Sequence, residues 1–288
     1  MSDPVFGSNQ KKRADRCLEL DDYMAANVFE GENFICESYD ECLKSHEKKT
    51  PDGEFYEGQL HSIGDHYDLT RNGRPFRIAV VGQEYGNRPS LVSREKRTQK
   101  VVHETGLRKR FKSDGVYEAR NPHMQGTTSL LRILFGRKPG RDDDGERFSI
   151  GGSQRHIFEM FALTNFLLCS AIGDTKGKEG SKKGRSTKKM QTNCARHFRA
   201  VMRILEPTVI VALGVDVEKW IMPVLDEKEG LGDDVMRVQL GGWSCLLASF
   251  VHPSWQGLKG GMWGQKEDHR YLFDTIQPAV DIIVDNLD

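Results

Sequence analysis

Residues 161–169 read FALTNFLLC and residues 194–214 read CARHFRAVMRILEPTVIVALG, and these two stretches decide the fold class. In the first, apolar side chains are almost continuous from Phe161 to Leu168, which suits a strand buried on both faces. In the second, apolar residues recur at helical spacing from Cys194 to Leu205. Pro207 closes that helix, and Thr208–Leu213 forms a short β-branched strand ending at Gly214. Strands alternating with helices predict a parallel sheet with helices on both faces.

Working outward, Phe76–Val81 (FRIAVV) reads as an earlier buried strand that stops at Gly82. Thr127–Phe135 (TTSLLRILF) has helical periodicity, with Thr127 or Thr128 as its cap. Downstream, Trp243–Val251 (WSCLLASFV) is a fourth strand running into His252-Pro253-Ser254, and a last helix is expected over about 267–285. Gly173–Thr187 is basic and rich in glycine and serine, with too little apolar content to pack, so it reads as a loop. The expected fold is α/β, a three-layer α/β/α arrangement around a central, mainly parallel four-stranded sheet. Residues 1–75, polar and short of apolar runs, form an N-terminal arm, and residues 76–288 form the main domain. In such sheets ligands bind beyond the carboxyl ends of the strands, so the loops at Gly82, after Leu163 and at His252 should converge.

Lysine plus arginine equals aspartate plus glutamate at 42 each, so net charge alone points to no nucleic-acid partner. The distribution is uneven. Lys176, Lys178, Lys182, Lys183, Arg185, Lys188, Lys189, Arg196, Arg199 and Arg203 fall in one stretch whose sole acid is Glu179. Arg94, Lys96, Arg97, Lys100, Arg108, Lys109, Arg110 and Lys112 form a second run. Such runs either stay solvated or neutralise phosphates and release counterions. No stretch reaches the roughly 18 consecutive apolar residues of a membrane helix, and the N-terminus lacks the apolar core of a secretory signal. A cytoplasmic monomer with no membrane partner is expected, and the basic runs leave a nucleic-acid partner open. In a reducing compartment six cysteines argue against a disulfide framework, leaving metal, cluster or plain burial.

Taken in order, VVGQEYG (80–86), GTTSLLRIL (126–134), LTNFLLC (163–169), CARHFRAVMRILEPTVIVALG (194–214) and VHPS (251–254) resemble the uracil-DNA glycosylase superfamily, especially its iron-sulfur branch. The resemblance covers about 76–285. It implies an enzyme that flips a nucleotide out of the duplex and cleaves the bond between base and sugar, leaving an abasic site. It implies Glu84 as the carboxylate that orients water and stabilises the cationic sugar, although the family's usual residue there is aspartate or asparagine. His252 becomes the donor to the departing base, and Ser254 a phosphate contact. The base pocket would comprise Gln83, Tyr85, Gly86, His123 and Asn165. His123 stands where the family places a stacking phenylalanine, with Tyr85 as a competing stacker.

Gly86 leaves space where uracil-selective members carry tyrosine. Uracil or a 5-modified pyrimidine, including hypermodified cytosine of phage DNA, is therefore the expected substrate. Lys182, Lys183, Arg185 and Lys188 would meet the DNA backbone. Cys36, Cys42, Cys169 and Cys194 would hold a 4Fe-4S cluster, with zinc as the alternative occupant and Cys17 as a substitute for Cys36. The Cys36–Cys42 spacing departs from the family's Cys-x-x-Cys. A non-catalytic nucleic-acid-binding or damage-sensing protein of the same fold is the competing reading, and a covalent capture of the sugar by His252 is a competing mechanism.

Overall fold

The computed structural model describes residues 4–31, 33–58, 61–84, 122–140, 144–175 and 178–287. It is a mixed α/β structure. The main sheet has seven strands in the spatial order Glu227–Gly230, Val235–Leu240, Trp243–Phe250, Val209–Leu213, Ile78–Gly82, Phe161–Asn165, Ser62–Ile63. The four strands expected from the sequence form its middle and pair in parallel. Numbered along the chain, they lie in the order 2-1-3-4. The three flanking strands pair antiparallel, so the sheet is wider than the four strands anticipated.

Alternation within these strands builds two cores. Ile78 and Val80 enter one, with Leu130, Leu131, Trp263 and Ile283. Ala79 and Val81 enter the other, with Leu20, Met24, Phe198 and Val201. Every residue from Ile78 to Val81 is 0% exposed, and this double burial explains the near-continuous apolar run.

Three expectations need correction. Cys169–Thr175 and Lys178–Gly184 are strands that pair antiparallel, and the first of them also pairs with Glu54–Glu57. Backbone pairing orders these residues, and Cys169–Ile172 are also buried. The Thr127 helix begins earlier, at Pro122, and ends at Leu134. Its threonines do not cap it, because their hydroxyls donate to the carbonyls of His123 and Met124 one turn back. The last helix is interrupted, a π turn over Leu272–Ile276 preceding Gln277–Leu287.

The N-terminal segment is also more than an arm. Its helix Gln10–Asn27, capped by Asn9, buries Leu20 and Met24 in the second core. Arg16 on that helix donates from Nε to both oxygens of Asp68, at 3.1 and 3.0 Å, and from Nη2 to Glu206 at 2.9 Å. Nη1 reaches the carbonyl of Ile204. One guanidinium thus ties the first helix to the C-terminal end of helix Lys188–Leu205, where Glu206 takes the left-handed conformation at φ 43° before Pro207.

Asp68 is only 3% exposed, so removing Arg16 strands a buried carboxylate. Arg16→Ala is expected to lose about 3 kcal/mol of unfolding free energy in urea titrations. A loss no larger than that of an exposed ion pair, below about 1 kcal/mol, would show that the tie is dispensable.

Candidate functional site

The parallel core delivers its four carboxyl ends to one edge of the sheet, and the candidate residues follow directly from those ends. Glu84 stands two residues past Gly82, Asn165 ends its own strand, and His252 comes two residues after Phe250. The register sets Asn165 opposite Gly82.

Glu84 is 4% exposed, yet its carboxylate is well supplied with donors. Asn165 Nδ2 donates to one oxygen at 2.8 Å, and Ser170 Oγ donates to the other at 2.6 Å. Two close approaches make room for this group. A Cβ on Gly58 would lie 3.0 Å from Glu84 Cγ, and one on Gly82 would lie 3.1 Å from Asn165 Oδ1. The backbone at Glu84 has φ 125°, a region that side-chain-bearing residues rarely adopt. Holding it there costs about 1–3 kcal/mol, which the surrounding contacts must offset.

His252 accepts a hydrogen bond at Nδ1 from the Ser254 amide, 3.2 Å away, so in the neutral ring the proton sits on Nε2 as a donor. Burial lowers its pKa and favours that neutral form. His123 stacks on it, with ring centroids 4.9 Å apart and an interplanar angle of 18°. Burial, and then the neighbouring His252, push the His123 pKa down to about 3. The ring expected to stack on a base therefore stacks on the histidine donor. Gly126 and Gly264 allow the approach, since a Cβ on either would press on Pro253.

Two residues that sequence reading missed fix the strand end. Trp263 Nε1 donates to the carbonyl of Val251 at 2.9 Å, and Tyr271 Oη accepts from the Val251 amide at 3.1 Å. Both peptide groups of the residue before His252 are thereby anchored. A tryptophan in the glycine-rich stretch Gly260–Gly264 was the one available signal. Ser170 had none, being one small residue in an apolar run.

Of the remaining candidates, Gln83 lies against Gly184, where a Cβ would sit 2.5 Å from Nε2. Tyr85, Gly86 and the basic run from Arg94 to Lys112 lie outside the described residues. Lys182 and Lys183 belong to the strand Lys178–Gly184, opposite Asp174 and Gly173. Arg185 follows that strand and bonds through its amide to the carbonyl of Ala171. Lys188 is exposed and opens a helix capped by Thr187.

The four expected cluster cysteines share one neighbourhood. Burial raises the Cys169 thiol, and charges at Cys194, Cys42, Cys36 and Glu84 raise it further. Cys194 is pushed up to about 12, again mainly by burial. Cys42, Cys169 and Cys194 are buried and Cys36 is half-buried. Cys17 lies elsewhere, beside Arg13 and His61 in a separate cavity, and Cys245 is buried in the fourth strand. Four thiols from separate segments suit an iron-sulfur cluster in donor chemistry. Among the described residues, however, no three His, Cys, Asp or Glu side chains stand together in ligating geometry. No described helix is long and apolar enough to cross a membrane.

A scan against protein-family models finds no match, and no curated protein matches the chain.

The depressed His123 gives a signed prediction. Its neutral form is favoured in the folded state, so between about pH 6.5 and pH 3 the unfolded chain binds the extra proton. Stability present above pH 6.5 is then lost as pH falls, at up to about 1.4 kcal/mol per pH unit from this one ring. His123→Phe keeps a stacking ring and should flatten the acid limb of the unfolding free energy by that amount. An unchanged limb would refute the buried neutral assignment.

Proposed function

We propose that this chain is a DNA glycosylase of the uracil-DNA glycosylase type, with its parallel sheet as the middle of three layers. It removes uracil or a 5-modified pyrimidine from a flipped-out nucleotide. The carrying observation is the buried Glu84 carboxylate, held by Asn165 and Ser170 at the same sheet edge as a neutral, oriented His252.

The residues have distinct tasks. As the bond between C1′ and the base nitrogen breaks, its electron pair leaves with the base and C1′ becomes cationic. Glu84 stabilises that cation and orients a water, whose oxygen bonds to C1′ while its proton passes to solvent. His252 donates from Nε2 to the base oxygen that gains charge, and the base anion then takes a proton from solvent. Asn165 fixes Glu84 and meets the base edge. Ser254, Lys183, Arg185 and Lys188 face the DNA backbone in this reading. Cys36, Cys42, Cys169 and Cys194 would hold a four-iron cluster, whose contribution is to order the segments carrying Ser170 and its paired strand rather than to transfer electrons.

One observation favours a non-catalytic DNA-binding module instead. Both Glu84 oxygens already accept a hydrogen bond. Base release decides between them. Duplexes carrying uracil, 5-hydroxymethylcytosine or its glucosylated form are expected to lose that base, and Glu84→Gln and His252→Ala are each expected to slow release at least about a hundredfold. DNA binding without release from any of these substrates would favour the module. Brown protein with about four irons per chain, lost in Cys169→Ser, is expected for the cluster. Iron-free protein from anaerobic preparations would remove it.

A further inference from the structure

Glu84 and Asn165 sit on a tied backbone. The Phe166 amide donates to the Gly82 carbonyl at 2.9 Å and the Leu167 amide to the Gln83 carbonyl at 3.0 Å, so the chain after Asn165 is laced to the chain before Glu84. Asn165 is 7% exposed and Glu84 is 4% exposed. With both backbones held and both side chains packed, the freedom left to Asn165 is a half-turn of its amide, which exchanges Nδ2 and Oδ1.

The carboxylate decides that half-turn. An ionised Glu84 can only accept, and one of its oxygens takes Asn165 Nδ2 at 2.8 Å. Turned over, the amide would set Oδ1 against that oxygen, lone pair to lone pair, in a buried place. Nor can the carboxylate swing aside freely, because Ser170, 0% exposed, donates to its other oxygen at 2.6 Å. The pairing that steadies Glu84 therefore also fixes which end of Asn165 faces outward.

The end left for a ligand is Oδ1. It accepts from none of the described residues, yet it is not sealed from solvent. Gly82 gives it room, since a Cβ there would stand 3.1 Å away. The Gly82 strand lies between the Asn165 strand and the one leading to His252, so Oδ1 is on the His252 side of Asn165. A base lying between Asn165 and His252 meets a fixed acceptor at one side and the His252 donor at the other.

We propose that Glu84 is a positioning residue for specificity: by locking the Asn165 amide it presents Oδ1 to the flipped base, and the pocket selects an edge that offers an N–H there. This rests on the base-flipping reading above and adds a second task to Glu84. The N–H comes either from the ring imide of a uracil-type base or from the exocyclic amine of a cytosine-type base. These two edges are close in shape and exchange donor for acceptor, so shape alone would not separate them.

The full chain, isotopically labelled at asparagine side chains, tests the lock, with Asn165→Ala identifying the signal. One Asn165 Nδ2 proton is expected to exchange with solvent at least about tenfold more slowly than exposed asparagine protons. Duplexes carrying uracil or cytosine on a 2′-fluoro sugar, which resists loss of the base, then serve as binding probes. One is expected to bind at least about tenfold more tightly than the other, uracil identifying the imide and cytosine the amine as the recognised group. In Glu84→Gln the new amide can donate or accept, and so can Ser170 Oγ, so either orientation of Asn165 is satisfied. That variant is expected to cut the preference at least about threefold, whereas a structural defect would weaken both duplexes alike. An unprotected Asn165 amide, equal or absent binding of the two duplexes, or an undiminished preference in Glu84→Gln overturns the proposal. Failure to release any base from unmodified sugars, with the preference intact, removes the glycosylase reading and leaves the lock standing. Release without the preference removes the lock alone.

Discussion

The Ile78–Gly82 strand is bonded in parallel on both sides, to Phe161–Asn165 and to Val209–Leu213, and its residues divide between two cores. A strand so placed has no exposed backbone and no free face, so its direction is dictated to its neighbours. Parallel neighbours end together. The consequence is a single edge at which Glu84, Asn165 and the segment leading to His252 all emerge, although more than 160 positions separate the first from the last along the chain. Antiparallel pairing at any of these junctions would have sent one of them to the far side.

What emerges there is two small assemblies. A carboxylate, an amide and a hydroxyl form one, and two stacked imidazoles form the other. Each uses burial in the opposite sense. For Glu84, oriented donors replace the water that burial removed, as a buried anion requires. For the histidines burial itself acts, removing the proton that would have charged them. A fixed acceptor and a fixed donor at one sheet edge are the raw material for separating charge across a bond.

Much of this was legible in the sequence. The four parallel strands were visible because double burial leaves near-continuous apolar runs, as in Phe161–Leu168. Glu84, Asn165 and His252 were picked out by the resemblance that the stretches VVGQEYG, LTNFLLC and VHPS carry, not by periodicity. Other parts were hidden for physical reasons. The strand pair that starts at Cys169 is held by backbone bonds that its lysines and glycines do not advertise, and the first helix reads as polar because only Leu20 and Met24 are buried. Ser170, Trp263 and Tyr271 act through single contacts made in space, and no periodicity encodes them. His123 was placed near the site by the resemblance, but its stacking on His252 is a contact in space that could not be read from spacing.

The unusual torsion at position 84 has a wider implication. Glycine would sit there without strain, so the chain would gain backbone ease by giving up its anion. Improvement of folding alone therefore pulls against the carboxylate on which the proposed reaction rests. Laboratory selection for heat resistance, applied without a screen for activity, would be drawn to this codon early, and thermal robustness and the proposed activity would part company at a single residue.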